Sequence, residues 1–415
     1  MTSAKISQVQ GKRLIAPEMH EDPYAVYREL RDATPVLWDE SLGSWVLTRY
    51  DDVAFVMNDP RFSSNRIAAA HASLRTDRYR PLLDVMSHRM SEVDEPDHTR
   101  LRSLVNKAFA HVAVEQWKPK IRQRVEELID GFRETGRCEF VEDFAIPLPL
   151  LTILELVGVP AADRRQVKQW CDDFALVALN FYAYLDEEQA ERGLSSIAEF
   201  REYLEGRIET LRRDPQDNLL SALIAVEQDG RRLSSDELLA NTFLLLSAGN
   251  ETSTCLLANG LLALLRHPAQ MQQLRDDPSL VPQAVEEFLR FDSPVQYLGR
   301  LATADVELRS QVIRKGDLVL VVLAAANRDP RRFDDPDALN IRRSENHHLA
   351  FGHGRHFCVG AQFARLEARL AFEALLQQTS EIALDAASAD ELSHQDNYNI
   401  RRIKQLPLRL TFASS

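Results

Sequence analysis

Apolar residues recur at helical spacing along most of the chain between residues 98 and 290. Intervals of three and four residues are typical of helices that bury one face. The pattern predicts helices over residues 98–109, 114–134, 147–157, 163–181, 186–212, 217–226, 235–265 and 281–290. A further amphipathic stretch predicts a helix over 361–378.

Strand-like patterns are fewer and lie outside this helical region. The apolar stretches 36–38 and 45–48 flank a turn-rich segment, which predicts a hairpin within 36–56. A second β-like stretch covers 303–323, and the tail contains another over 406–412. The sequence therefore predicts a mainly α protein with a minor β region.

Repeats and low-complexity linkers are not visible, so we expect one large domain over 1–415. Within it, β structure is expected from 35–60, 300–325 and the C-terminal tail. The segments 90–300 and 355–380 are expected to be mainly helical.

Composition narrows the functional classes. Hydrophobic residues make up 45% of the 415 residues, which is enough for a large core. The net charge of -13 argues against binding nucleic acid or an anionic membrane. The polar N-terminus does not resemble a signal peptide, and no apolar run reaches the roughly 20 residues of a membrane span. We therefore expect a soluble, cytoplasmic protein with no nucleic-acid or membrane partner.

The central predicted helix, 235–265, has an unusual middle. Residues 234–237 resemble a capping box, and 266–268 predict a stop. Between Leu-rich flanks, however, residues 247–254 are polar or poor helix formers. Either this patch meets solvent at a groove, or the helix widens locally at a bound ligand, with Glu251 and Thr252 handling protons.

The four cysteines are scattered, and none forms a CxxC pair, which is typical of a reducing compartment. Cys358 differs from the others because it follows a glycine-rich loop and directly precedes the predicted helix 361–378. The positive end of that helix, together with Arg355, should favour a thiolate. Such a thiolate serves as a nucleophile, a redox centre or a metal ligand, and the local residues leave all three open.

The segment 351–365 resembles the haem-binding signature of cytochromes P450. The positions that match are Phe351, Gly352, Gly354, His356, Cys358, Gly360, Ala364 and Arg365. Glu287 and Arg290 match the ExxR element of the family, which is joined in its members by an arginine corresponding to Arg343. Residues 248–253 are similar to the oxygen-activating stretch, and residues 94–102 to a segment that contacts the haem propionates.

The resemblance implies a helical domain of triangular shape with small antiparallel sheets around a buried haem b. Cys358 would be the axial ligand of the iron. The residues implied in haem binding are Phe351, Gly352, Ala248 and Gly249, with His98, Arg102, Arg300 and His356 at the propionates. Glu287, Arg290 and Arg343 would be structural.

The activity implied is that of a monooxygenase dependent on O2 and NAD(P)H. It inserts one oxygen atom into a C–H bond, as a hydroxylation or an epoxidation, with Glu251 and Thr252 delivering protons. Electrons would come from a ferredoxin and its reductase. Two rivals are a peroxide-driven haem-thiolate enzyme, which carries Arg–Pro in place of Glu251-Thr252, and a haem sensor, which needs no proton relay.

A hydrophobic small molecule from secondary metabolism is the expected substrate. The candidate contacts, which could equally be core residues, are Met86, Met90, Leu179, Leu244, Val295, Gln296 and Ile400. Basic side chains also gather around the cysteine loop, either as a docking face for an acidic redox partner or as solvated loop charge. They are Arg342, Arg343, His347, His348, His353 and Arg355.

Overall fold

The computed structural model describes residues 14, 18–67, 77–111, 114–179, 187–226, 230–385, 392–395 and 397–413. The helices in this part of the chain are Glu18–Glu21, Pro23–Ala33, Tyr50–Asn58, Arg80–Ser87, Asp97–His111, Val114–Asp130, Pro147–Val157, Arg164–Leu179, Glu187–Arg213, Leu219–Ala225, Ser235–Arg266, Pro268–Asp276, Val281–Phe291, Leu323–Ala326 and Ala361–Gln378.

Each helix predicted from the spacing of apolar residues is present, and most helix ends differ from the predicted ends by one to three residues. The central helix, Ser235–Arg266, begins at the predicted capping box. The backbone N–H of Ser234 donates to Glu237 Oε2 at 2.9 Å, and that of Glu237 donates to Ser234 Oγ at 3.1 Å. These two bonds satisfy N–H groups that have no partner inside the first turn.

The sequence prediction missed several shorter helices, and one of them corrects the hairpin. The hairpin strands end at Leu47, and residues 50–58 are helical. In that helix Val53, Val56 and Met57 are buried at helical spacing, while Asp51 and Asp52 lie in its first turn. Carboxylates there interact favourably with the helix dipole. Only two turns long, this pattern was too short to distinguish from a strand.

The strands are β1 Val36–Asp39, β2 Ser44–Leu47, β3 Phe62–Ser63, β4 Arg137–Glu139, β5 Leu298–Ala302, β6 Val306–Leu308, β7 Gln311–Ile313, β8 Leu318–Val321, β9 Thr379–Leu384 and β10 Pro407–Phe412. Among the described residues they form sheets ordered β1-β2-β8-β5-β3, β4-β10-β9 and β6-β7. β2 and β8 run parallel, so the largest sheet is mixed where the resemblance implied antiparallel sheets. The prediction of a mainly α fold with minor β structure is confirmed.

The chain divides into two compact units. The larger consists of Met1–Phe62, Lys118–Pro149 and Glu251–Ser415, and the smaller of Ser63–Trp117 and Leu150–Asn250. The boundary between Asn250 and Glu251 falls inside the central helix. One domain over 1–415 stays a prediction.

Each unit has its own apolar packing. In the larger unit, one cluster joins the largest sheet to the helix Tyr50–Asn58, with Leu47, Val53, Val319 and Val321 fully buried. In the smaller unit, the ring of Phe243 lies 4.4 Å from that of Phe174 and 4.3 Å from that of Phe200, both edge-to-face.

Three helices of the larger unit meet at Gly260 on the central helix. A Cβ atom there would lie 2.9 Å from Phe288 Cδ2 and 3.0 Å from Phe372 Cζ. Only a glycine lets the helices Val281–Phe291 and Ala361–Gln378 approach the central helix this closely. Among the described residues, no helix combines the length and apolarity needed to cross a membrane.

Candidate functional site

Cys358 lies in the loop directly before the helix Ala361–Gln378, which we call the cysteine helix. Its thiol is exposed, whereas Cys138, Cys171 and Cys255 are buried. Burial raises the pKa of Cys138 to about 12 and raises the pKa of Cys171 and Cys255 as well. Of the four cysteines, Cys358 is therefore the one placed for chemistry.

The loop before Cys358 is held by its own backbone. The N–H of Cys358 donates to the carbonyl of Phe351 at 2.9 Å, and the N–H of Phe357 donates to that of Gly354 at 3.1 Å. Phe357, next to the thiol, is 39% exposed. An accessible thiol beside an exposed phenyl ring can bind a ligand that is apolar and carries a metal.

Glycines in this loop are required by their backbone angles and by a neighbouring helix. Gly352 and Gly354 have φ of +77° and +69°, which L side chains rarely adopt. A Cβ on Gly354 would lie 2.9 Å from Asn58 Oδ1 and 3.3 Å from the carbonyl of Met57. The helix Tyr50–Asn58 therefore approaches the backbone of the loop closely at Gly354.

A carboxylate connects the loop to two helices. Glu286 accepts from Arg365 Nε at 2.7 Å and Nη2 at 2.8 Å, and His348 Nε2 lies 3.2 Å from its Oε2. The Arg365 guanidinium also lies 4.5 Å from the ring centre of Phe351. Burial alone would raise the pKa of Glu286, but the hydrogen bonds from Arg365 and His348 outweigh it and lower that pKa to about 2.

The residues of the ExxR element are fully buried and share a network. Arg290 donates to Glu287 through Nε at 2.7 Å and Nη2 at 2.8 Å, and both side chains have 0% exposure. Arg343 Nε donates to Glu287 Oε2 at 3.2 Å. Arg290 also donates to the carbonyls of Asn327, Pro336 and Ala338. The structure brings the three residues together and uses them to hold the segment 327–346.

The middle of the central helix is open on one side. Residues 238–246 and 253–264 are buried, whereas Ala248 is exposed and Ser247, Gly249, Glu251 and Thr252 are partly exposed. The polar patch therefore adjoins open space, as one sequence interpretation expected. Local widening of the helix is not found, because residues 235–266 are α-helical throughout. The glycine at position 249 is explained by a neighbouring side chain, because a Cβ there would lie 3.1 Å from Ile153 Cγ1.

Glu251 has partners that the sequence did not indicate. Arg402 Nε donates to Glu251 Oε1 at 3.1 Å. In the amide orientation that satisfies all three groups, Gln395 also donates to Glu251 Oε1, at 3.3 Å, and accepts from Arg402. Arg402 and Gln395 belong to a C-terminal segment about 145 residues away in the chain, so no local pattern could reveal them.

Known proteins are similar to this chain over most of its length. The sequence profile of cytochrome P450 matches residues 166–381. The cytochrome P450 monooxygenase PikC of Streptomyces venezuelae is 42% identical over 94% of this chain and 91% of its own length. The chain belongs to the cytochrome P450 family.

Solved P450 structures share the fold along nearly the whole chain. The polyketide synthase P450 PksS of Bacillus subtilis 168 superposes with a TM-score of 0.88 at 35% identity, covering 96% of this chain and 100% of its own. P450BioI, solved in complex with an acyl carrier protein carrying hexadec-9Z-enoic acid, has a TM-score of 0.86 at 34% identity, covering 94% and 98%. As a cytochrome P450, the protein binds haem b and is a monooxygenase that uses O2, a small-molecule substrate and external redox partners.

The described residues fit a haem-thiolate group. A P450 needs one accessible thiol, apolar surface beside it and a helix with an open middle. Cys358 is accessible, Phe357 is exposed beside it, and Glu251 and Thr252 of the same unit are partly exposed in the middle of the central helix.

The four residues implied at the haem propionates are divided between the units. Arg300 is 4% exposed in β5, where Nη1 donates to the carbonyl of Gly299 at 2.8 Å, and His356 is partly exposed in the cysteine loop. In the smaller unit, His98 is 3% exposed and lies one turn from Arg102 on the helix Asp97–His111. Burial lowers the pKa of His98.

The candidate substrate contacts differ in their surroundings. Val295 and Ile400 face one another across an isolated antiparallel bridge, while Met86, Met90 and Leu244 are buried in the smaller unit. The side chain of Leu179 lies outside the described residues. Gln296 is buried, and its amide accepts from Tyr27 at 3.1 Å and donates to the carbonyl of Ser293 at 2.6 Å.

Two of the basic residues expected on a docking face are not at the surface. The side chains of Arg343 and His348 are 9% and 3% exposed and pair with Glu287 and Glu286. A charge inside an ion pair contributes little to a long-range field, so these two residues position the loop. The remaining four, Arg342, His347, His353 and Arg355, are exposed.

Proposed function

We propose that Cys358 would hold the haem iron of this monooxygenase through its thiolate. The observation that carries the proposal is its exposure at the start of the cysteine helix, while the other three cysteines are buried and protonated. The helix dipole favours the thiolate. When bound, haem supplies O2 activation, and its thiolate ligand pushes electron density to favour O–O cleavage.

The test is a carbon monoxide difference spectrum of the dithionite-reduced protein, with Cys358→Ser beside the wild type. A strongly red-shifted Soret band that disappears in the variant is expected. Cys255→Ser is the matched control, because Cys255 is buried in the same unit and should leave the band in place. A red-shifted band that survives Cys358→Ser would contradict the assignment.

Proton delivery is proposed for two adjacent residues of the central helix. Glu251 and Thr252 are both partly exposed in the open middle of that helix. A carboxylate there can exchange protons with solvent, and the hydroxyl can hold a proton or a hydrogen bond and pass it on to the reaction site. Ala248 and Gly249, one turn earlier, would keep side-chain bulk away from the haem.

Thr252→Ala is expected to separate electron consumption from product formation. The variant should still oxidise NADPH through its redox partners but release most of the electrons as hydrogen peroxide, since the hydroxyl no longer assists proton transfer. Peroxide and NADPH are measured together, with Thr254→Ala as a control at a fully buried position. Full coupling of NADPH to product in Thr252→Ala would remove Thr252 from the relay.

The haem contacts are proposed from the remaining matched positions. Phe351 and Gly352 would lie against the ring, and His98, Arg102, Arg300 and His356 would bind the propionates as hydrogen-bond donors and cations. Arg300→Leu tests one member of this set. The variant should lose haem faster than wild type, because the buried guanidinium is expected to slow haem loss. Unchanged transfer of haem to apomyoglobin would exclude Arg300.

The substrate is proposed to be an apolar small molecule from secondary metabolism, and the site of action to be the cytoplasm. Support comes from the apolar candidates Met86, Met90, Leu244, Val295 and Ile400. Support also comes from relatives named for polyketide biosynthesis and for vitamin D(3) 25-hydroxylation. Spectral titration with a macrolide, vitamin D3, testosterone and a fatty acyl carrier protein would rank these classes. A response to none of the apolar compounds would contradict the proposed class.

A ferredoxin with its reductase is the proposed electron donor. The support is that four basic residues preceding Cys358 in the chain, Arg342, His347, His353 and Arg355, are exposed, although the net charge of the chain is -13. A local basic face on an acidic protein steers acidic partners to one place. Arg355→Glu should raise the KM for ferredoxin severalfold and more so at low salt, whereas Arg409→Glu, exposed on β10, should not. Equal effects of the two would contradict docking at this loop.

A further inference from the structure

Glu251 is held by a cation from the C-terminal segment of the chain. Arg402 Nε lies 3.1 Å from Glu251 Oε1, and the two side chains are 9% and 35% exposed. A guanidinium buried to this degree is strongly destabilising without a carboxylate partner. The contact is therefore expected to persist whenever Glu251 is ionised.

The backbone on both sides of Arg402 is anchored to the same helix that carries Glu251. Asn259 Nδ2 donates to the carbonyl of Arg401 at 2.9 Å, and Asn259 Oδ1 accepts from the N–H of Ile403 at 3.4 Å. Asn259 is 3% exposed and follows Glu251 by about two turns, or roughly 12 Å along the axis. One rigid element thus sets the positions of both the cation and the carboxylate.

Gln395 supports the pair from the opposite strand of a short bridge. Its backbone N–H donates to the carbonyl of Arg402 at 2.9 Å, next to the bridge between His394 and Ile403. Its side-chain amide lies between the two charged groups, donating to Glu251 Oε1 and accepting from Arg402. The amide therefore restricts rotation of both side chains.

Arg402 and Gln395 bind the same carboxylate oxygen of Glu251. Among the described residues, Oε2 has no hydrogen-bond partner. A general acid must be held within hydrogen-bond reach of its acceptor, and small displacements reduce the rate steeply. Fixing Oε1 while leaving Oε2 available restricts the orientation of the carboxylate and keeps one oxygen for the transferred proton.

We propose that Arg402, braced by Gln395, is a positioning residue that orients the Glu251 carboxylate for proton delivery. The inference rests on the proposed function of Glu251. Arg402 acts through its contact with Glu251. Removing its charge should therefore change proton transfer and leave haem ligation intact.

The experiment measures the hydrogen peroxide-driven oxidation of guaiacol by the holoprotein, which requires neither the natural substrate nor a redox partner. Peroxide oxidises guaiacol, and the oxygen that leaves as water must take up a proton. Arg402→Gln is expected to lower kcat about 10-fold, with the KM for peroxide within about twofold and a larger solvent deuterium isotope effect. Arg402→Lys, which keeps the charge, should recover activity to within about threefold of wild type.

Control variants distinguish a failure of the role proposed for Arg402 from a failure of the role proposed for Glu251. Arg409→Gln removes an exposed charge from the same end of the chain and should behave as wild type. Glu251→Gln should lower kcat at least as much as Arg402→Gln, and the double variant should show no further loss. If Glu251→Gln is as active as wild type, Glu251 does not deliver protons, and the proposal that Arg402 positions it is contradicted as well.

If Glu251→Gln is slow but Arg402→Gln matches Arg409→Gln in rate and isotope effect, the inference alone is overturned. Crystal structures of wild type and Arg402→Gln supply a readout other than activity, because the Glu251 carboxylate should leave its wild-type position. An unchanged carboxylate would also overturn the inference. Should Arg402→Gln lose its red-shifted carbon monoxide band, Gln395→Leu serves in its place, with a smaller increase in the isotope effect expected.

Discussion

At the scale of single residues, burial decides which charged groups matter. Glu287 is fully buried and is shared by Arg290 and Arg343, so its loss leaves two cations without their carboxylate. Glu373 makes a similar one-turn pair with Arg369, but both side chains are 29% exposed and 3.7 Å apart. The two glutamates therefore provide a matched comparison between a buried and a surface ion pair.

Glu287→Gln is expected to destabilise the protein by about 3–5 kcal/mol, because breaking a buried pair leaves uncompensated charge in a low dielectric. Glu373→Gln should change stability by less than about 1 kcal/mol. Urea unfolding of the holoproteins, followed by far-UV circular dichroism, measures both. Equal losses in the two variants would show that burial is not the deciding factor.

Among the candidate functional residues, Cys358, Glu251 and Thr252 could be proposed from the sequence through their neighbours in the chain. Glycines around a cysteine and a polar patch in an apolar helix are local signals. Arg402, Gln395 and Glu286 carried no such signal, because their roles depend on side chains distant in sequence. Glu286 stands next to Glu287 yet pairs with a different arginine, and spacing alone could not separate the two.

At the scale of elements, how closely two helices can pack depends on the positions at which a helix has glycine and therefore no side chain. Gly260 is the point at which the central helix, the helix Val281–Phe291 and the cysteine helix approach one another. Gly206, on the helix Glu187–Arg213, has no heavy atom within 4 Å of an added Cβ. Both glycines are helical, so they differ mainly in their surroundings.

Gly260→Ala is expected to destabilise the protein even though alanine is the better helix former. The propensity gain is about 1 kcal/mol, whereas overpacking against the buried Phe288 and Phe372 costs about 1–3 kcal/mol. Gly206→Ala should instead stabilise by up to about 1 kcal/mol. Urea midpoints of the two variants test the prediction, and a stabilised Gly260→Ala would show that the three helices can separate.

Element boundaries were predictable where the chain supplies its own signal. The capping box at Ser234 and Glu237 begins the central helix, and Pro268 follows its end. Of the two alternatives for the polar middle of the helix, local widening is not found, because Gly249 accommodates Ile153 without any change in helix type. Gly249 has a close neighbour and Gly206 has none, so a glycine in a helical sequence does not say whether a ligand, a side chain or open space lies beside it.

At the scale of the whole molecule, the Glu286 cluster ties together chain segments that are 79 residues apart in sequence. The folded-state pKa of Glu286 is about 2, below its ordinary value of 4.5. A carboxylate with a lowered pKa contributes stability that is present above the unfolded pKa and lost as the pH falls through the folded one. Acid should therefore weaken the link between the cysteine loop and both helices.

Glu286→Gln is expected to lower stability by about 3 kcal/mol at pH 7, the order of magnitude of a pKa shift of this size. The difference from wild type should stay constant down to about pH 5 and shrink between about pH 4.5 and 2. Urea midpoints at pH 7, 5 and 3 measure the trend. A difference that does not change between pH 7 and 3 would show that the Glu286 charge is not the cause.

The sequence by itself determined the helix pattern, the mainly α class, the cysteine loop and the polar patch, because each depends on residues within a few turns of one another. Its motifs also carried the resemblance to cytochromes P450. The tertiary structure decided which charges are buried and with which partners: Glu286 with Arg365, Glu287 with Arg290 and Arg343, and Glu251 with Arg402. Burial and long-range pairing arise only when distant segments pack, and no local pattern of residues contains that information.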